Sequence, residues 1–142
     1  MDEKQFYQMI YNIAKNKGVK FPELVASHAV LESESGKKGI GPGGFNVFGQ
    51  TVYLNSRGTK IGSMNFANYN SYDEAVAHHV KKWGKYHNGK SSPAQALASY
   101  VNSYAPKGHS NGKHSQGNGN YNYESSMSPI ARRNGNSINI KS

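Results

Sequence analysis

The stretch "HAVLESESGKKGIGPGGFNVFGQ", His28 to Gln50, joins an apolar run bearing two glutamates to a glycine-rich segment. Pro22 is a favoured first-turn residue, so the spacing predicts a helix that starts there and runs through "ELVASHAVLES" to the glycines at 36 and 39. Gly41 to Gly49 is too glycine-rich to stay helical and reads as a loop that re-aims the chain. Two positions on a helix differ by about 200°, so Glu32 and Glu34 point to opposite sides if the helix continues through both. They make a poor acid/base pair. Glu32 shares a face with Val25, His28 and Ala29, where partial loss of water suits a carboxylate to proton donation. The bland alternative is a helix-terminal salt bridge. Glu34 reads as a solvated residue pairing with Lys37 or Lys38.

Outward from this stretch, the pattern is mainly helical. Phe6, Ile10, Ile13 and Ala14 recur at helical spacing, between an Asp2/Gln5 cap and Gly18 as terminator. Downstream, "QTVYL" and "TKIGSMNF" are β-prone arms around the turn "NSRG", predicting a small hairpin. Ser71 with Glu74 forms a capping box before a helix carrying Val76, Val80 and Trp83 on one face. Ser92 and Pro93 open another, with Ala94, Leu97, Ala98 and Val101 as its buried stripe. Residues 107–120, "KGHSNGKHSQGNGN", have too little apolar area to order themselves and read as a flexible loop. A last helix joins Tyr123, Met127 and Ile130, ahead of a C-terminal tail over 132–142. The expected fold class is α+β, mainly α: a single domain over 1–142 with a small β-hairpin lobe.

With 142 residues the chain has room for one real core and not two. It has no cysteine, which excludes disulfides and thiolate metal sites. The net charge of +9 favours a polyanionic partner: nucleic acid, a teichoic-acid-bearing wall or an anionic membrane. No segment approaches the roughly 20 apolar residues of a membrane span, so no membrane partner is expected. The start, "MDEKQFYQMIYNIAKNKG", has acids where a signal peptide needs basic residues. His78 and His79 are adjacent and diverge on a helix, while His109 and His114 lie in the glycine-rich loop, so no metal and no cofactor is expected. Tyrosines and Trp83 can stack on sugars and bases alike, but Lys81, Lys82 and Lys85 read as a solvated helix face and no nucleic-acid module is visible. Nucleic acid is therefore disfavoured. No acid occurs from Ser35 to Tyr72, and Asp73 and Glu74 serve a helix start, which leaves Glu124 as the possible second carboxylate.

At "AVLESESGKK…FNVFGQ" the chain resembles the lysozyme-like peptidoglycan glucosaminidase and lytic transglycosylase group. Leu31, Glu32, Ser33, Gly36 and Lys37 fill that group's aliphatic-Leu-Glu-Ser-x-x-Gly-Lys pattern, and Asn46, Phe48 and Gly49 its Asn-x-Phe-Gly. "FANYNSYDEAVAHHVKKW" is similar to its segment after the hairpin, and "GNYNYESSM" to its Asn-Tyr element near the cleft; together the likeness spans about residues 20 to 130. The resemblance implies a lysozyme-like fold and an enzyme that cleaves peptidoglycan strands. It puts the catalytic glutamate on Glu32 and the cleft tyrosine on Tyr123, with Tyr121 as the alternative. Asn46, Phe48, Tyr69 and Tyr121 are the substrate-binding residues it implies. Some members carry a second carboxylate in the β-lobe, which this chain lacks, so participation by the substrate's N-acetyl or 6-hydroxyl group becomes attractive. The rivals are a lytic transglycosylase of the same fold, a non-catalytic wall-binding or phage-tail module, and a basic nucleic-acid binder. A lytic domain of this kind is expected to be phage-encoded, carried on the virion with tail or virion proteins as partners, or released by a holin.

Overall fold

The computed structural model describes residues 1–52, 58–62, 64–104 and 123–138. It is mainly helical with one hairpin: α1 (Glu3–Asn16), α2 (Pro22–Ser33), β1 (Gly58–Ile61), β2 (Met64–Ala67), α3 (Tyr72–Trp83), α4 (Pro93–Tyr104) and α5 (Tyr123–Arg133). The α+β, mainly α class expected from sequence is the one found. Asp2 and Gln5 close a reciprocal capping box on α1, which buries Phe6, Tyr7, Ile10 and Ala14. Ile13 is only half-buried, at the edge of that cluster.

α2 is the centre of the molecule. Leu24 through Val30 are all buried, the polar Ser27 and His28 included, so the helix is enclosed on every side. Val25, Ala26, Ala29 and Val30 face Phe6, Ile10, Val47, Phe48, Val76 and Ile130. Leu24 faces the other way, into a cluster with Phe21, Leu97, Tyr123, Met127 and Ile138. Leu31 packs against both clusters. This double burial holds the C-terminal turn of α2, and with it Glu32, at a set position.

Several expectations are corrected. α2 ends at Ser33, and Glu34 is its cap in the left-handed region at φ 50°, so the two glutamates diverge because the helix stops and not because it carries both. The hairpin arms are β1 and β2, joined through Gly62, with Thr59 opposite Phe66; of the expected turn "NSRG", Gly58 starts β1 and the other three residues lie outside the described residues. Gln50 to Val52 instead lies along the other edge of β2, with Thr51 bridged to Phe66 and the Val52 N–H donating to the Asn65 carbonyl at 3.0 Å. In α4, Ala98 faces solvent and Ala96 is buried in its place. Glu74 returns its carboxylate to the Asn70 N–H, one residue before the Ser71 cap. Arg132 and Arg133 belong to α5, and the tail folds back: Ile138 is buried and its carbonyl accepts from Ser128 Oγ at 2.8 Å. The expected loop over 107–120 lies outside the described residues. Among those residues, no helix is long and apolar enough to cross a membrane.

Candidate active site

The turn after α2 explains why the stretch reads Glu-Ser-Glu-Ser-Gly. Ser33 Oγ donates to the Ala29 carbonyl at 2.7 Å and accepts from the Gly36 N–H at 2.8 Å, which closes the helix. Gly36, at φ +88°, packs so tightly that a Cβ would meet Phe6 Cε1 at 3.0 Å. Glu32 is thereby left on the last helical turn, its side chain 22% exposed. His28, one turn earlier and 1% exposed, sets Nε2 at 3.6 Å from Glu32 Oε2. Glu34 is 58% exposed and pairs with Lys38 at 3.2 Å. One glutamate is held against the core; the other is solvated.

His28 is the hub of an aromatic cluster. Its ring lies edge-on to Tyr123 at 5.5 Å and to His79 at 5.5 Å, and 5.7 Å from Phe48. Phe48 stacks on His79 at 4.1 Å. Four elements therefore meet at His28, one turn from Glu32: α2, the Val47–Gln50 segment, α3 and α5. Burial, and after it the neighbouring His28, hold His79 well below the usual histidine range, so its imidazole is neutral. A cavity of about 240 Å³ opens here, walled by His28, Phe48, Gln50, His79, Lys82 and Trp83.

The loop side is held by polar side chains. Asn46 is 1% exposed: its Nδ2 donates to the Gln50 and Ala67 carbonyls, both at 2.9 Å, and its Oδ1 accepts from the Gln50 N–H at 3.1 Å. Asn46, a substrate-binding residue in the sequence reading, has its amide engaged in tying the loop to β2. Gln50 Nε2 donates to Tyr69 Oη at 2.9 Å and to the Ala75 carbonyl at 3.2 Å. Tyr69 Oη in turn meets His78 Nδ1 at 2.5 Å. Burial pushes the Tyr69 hydroxyl up to about 12, while burial and then Lys82 and Lys81 hold His78 below its ordinary value. The phenol is thus the donor and the imidazole the acceptor.

The structure brings Glu32, Tyr123 and Phe48 together around His28. Tyr123 and Phe48 are 3% and 2% exposed, and Phe48 lines the cavity. Tyr69 stands apart, beside a second cavity of about 590 Å³ that Phe45, Pro42 and Asn68 also line. Tyr121 lies outside the described residues. Sequence reasoning missed His79 and Gln50 as site residues and noted His28 only as a neighbour of Glu32; for His28 the four-residue spacing to Glu32 is a usable signal, while His79 and Gln50 carry none.

The remaining described acids are engaged elsewhere. Asp2 caps α1, Glu3 pairs with Arg133 at 2.8 Å, Asp73 with Lys17 at 2.9 Å, and Glu74 accepts from the Asn70 N–H at 3.0 Å. Glu23, half-buried and raised above the usual carboxylate range by that burial, sits nine residues before Glu32 on α2, about 13 Å away along the axis. That is beyond the 6.5–9.5 Å or 5 Å that two-carboxylate glycosidases use, and the side chain of Glu124 lies outside the described ones. No group of three His, Cys, Asp or Glu among the described residues is placed to hold a metal.

Comparison with known proteins gives one match: residues 7–135 fit the family model described as glucosaminidase, mannosyl-glycoprotein endo-beta-N-acetylglucosaminidase. No curated protein and no solved structure matches.

Proposed function

The chain belongs to the glucosaminidase family, a lysozyme-like family of glycosidases, and from that premise we propose that it cleaves peptidoglycan strands with Glu32 as the general acid. The observation that carries this reading is the placement of Glu32: a partly exposed carboxylate on the last turn of a buried helix, next to the His28 cluster and its cavity.

The chemistry follows from having one carboxylate at hand. Glu32 donates its proton to the glycosidic oxygen; the C1–O bond breaks and the leaving sugar departs with that proton. The electron-poor C1 is met by the carbonyl oxygen of the substrate's own 2-acetamido group. The Glu32 carboxylate then takes a proton from the group that opens this intermediate. If that group is water the product is a reducing sugar, and if it is the 6-hydroxyl the product is a 1,6-anhydro sugar, lighter by one water. The lack of another acid near Glu32 among the described side chains favours this route over a two-carboxylate one. The +9 charge supports attraction to an anionic wall.

Glu32→Gln should lower the release of muropeptides from purified sacculi by at least about a hundredfold, with an unchanged circular dichroism spectrum. Retention of activity by this variant would overturn the assignment. Mass spectrometry of the products separates hydrolysis from transglycosylation.

A further inference from the structure

The positive charge is not spread evenly along the chain. Residues 75–123 carry six lysines and no acid, whereas residues 1–74 carry eight Lys and Arg against seven Asp and Glu. In the described part of the acid-free stretch the lysines fall at 81, 82, 85 and 90, from the last turn of α3 through the 3-10 turn Gly84–His87 and just beyond it. Lys81, Lys82 and Lys85 are exposed, and none of the four makes an ion pair among the described residues. The acids at the start of α3 lie eight residues or more before Lys82, at least about 12 Å along the axis. The fold adds a fifth cation from far away in sequence. Lys20, exposed, donates from Nζ to the Lys90 carbonyl and lies 5.5 Å from the Phe21 ring, which stacks on His87. The dipole of α3 accounts for Lys81 and Lys82 in its last turn, whereas Lys20, Lys85 and Lys90 lie outside that helix. Two of these cations are held against aromatic rings: Lys82 Nζ is 5.4 Å from Trp83 and Lys85 Nζ 5.3 Å from Tyr86, and the two half-buried rings stand 5.9 Å apart. A lysine set on a ring has already given up part of its side-chain freedom, so an anion that meets it has less ordering to impose. Crowded like charges are also relieved by an anion that neutralises them.

We propose that Lys20, Lys81, Lys82, Lys85 and Lys90 form a docking surface for a polyol-phosphate chain of the teichoic-acid type, the anionic polymer of the wall and not the glycan that is cut. The choice of that polymer rests on the peptidoglycan reading above; the surface itself rests on the clustered, unpaired lysines. The rings argue against nucleic acid. With an ammonium over each ring and the other ring beside it, a base finds no open face to stack on, and a base-free phosphodiester chain needs none. Lys82 and Trp83 also line the cavity beside His28, so a chain docked here holds that cavity against the wall.

Binding separates this proposal from the catalytic one. The full chain is titrated calorimetrically at low salt with purified, lipid-free poly(glycerol phosphate). Lys81→Gln, Lys85→Gln and Lys90→Gln combined should weaken binding about tenfold, and Arg at the same three positions should restore it. The same three-lysine change to Gln at the exposed Lys4, Lys15 and Lys60 of α1 and β1 should weaken binding by less than about twofold. The two Gln variants carry equal net charge, so equal losses would show that total charge and not this face attracts the polymer, and would overturn the surface. No binding by the parent chain would do the same. So would tighter binding of an oligothymidylate with the same number of phosphates, or binding to phosphatidylglycerol vesicles without binding to the free polymer. Polymer binding that depends on Lys81, Lys85 and Lys90, in a chain that leaves sacculi uncut, would sink the catalytic reading and leave the docking surface standing.

Discussion

The two sides of the site are built by different physics. On the helical side, α1, α2 and α5 are held by apolar burial on both faces of α2, with Phe6, Ile10, Met127 and Leu24 each 0–1% exposed. On the loop and hairpin side, Gly39 to Ala75, the fixed points are amide side chains: Asn46 makes three hydrogen bonds to backbone groups and Gln50 makes two of its own. Apolar burial is non-directional and tolerates small shifts, whereas a buried amide specifies distances and angles. The proposed acid sits on the tolerant side, and Gln50, which lines the cavity, on the specified one. The comparison suggests that the helical side carries global stability while the loop side sets the shape of the cleft.

Truncation tests this contrast most strongly. Ile10→Ala should destabilise the whole domain by about 2–5 kcal/mol, seen as a lower urea midpoint at an unchanged slope. Asn46→Ala should cost about 3 kcal/mol, because it leaves the Gln50 N–H and the Ala67 carbonyl short of a partner. Its effect should appear locally, as faster amide hydrogen exchange over residues 46–52 and 64–67 ahead of α1 and α2. Uniformly faster exchange would break the distinction between the two sides.

An acid titration sharpens it next. His87 Nδ1 accepts the Phe21 N–H at 3.3 Å, at the start of α2, and burial lowers the His87 pKa to about 4. The folded state resists protonation while the unfolded chain titrates near 6.5, so this contribution is complete above pH 6.5 and is lost as pH falls toward 4. The loss should be about 2–3 kcal/mol from this group. His87→Gln keeps an acceptor that does not titrate, and the fall in urea midpoint between pH 7 and pH 4.5 should flatten by that share; His79, lowered in the same direction, accounts for slope that remains.

Smaller effects follow from single polar contacts. Tyr69→Phe removes the acceptor of Gln50 Nε2 and the donor to His78, and should cost about 1 kcal/mol in a thermal or urea melt. Glu34→Gln breaks only the exposed pair with Lys38, so stability should change by less than about 0.5 kcal/mol and wall cleavage should persist. A large loss of activity in that variant would shift the acid away from Glu32.

Much of the helical side was legible in the residues, and for a local reason. Caps such as Asp2 with Gln5, and stripes such as Tyr123, Met127 and Ile130, are decided by neighbours three to four positions away. The placement of Glu32 on an apolar face and the solvation of Glu34 belong to the same class. What lay hidden was non-local. A strand pattern states that a segment pairs and not with what, so the hairpin was read one segment too early, and the pairing of residues 50–52 with the far edge of β2 was not visible. Ala96 and Ala98 carry the same chemistry and differ only in which neighbour the helix meets. Asn46, expected to touch substrate, finds its partner 21 residues away at Ala67, and Gln50 reaches 25 residues to Ala75. The sequence by itself thus determined the helices, their caps and the exposed edge on which Glu32 stands, because those follow from spacing along one helix. Only the tertiary structure decided which polar side chains became struts, and that Phe48, His79 and Tyr123 meet at His28, one turn from that glutamate, because such encounters depend on how separate elements pack.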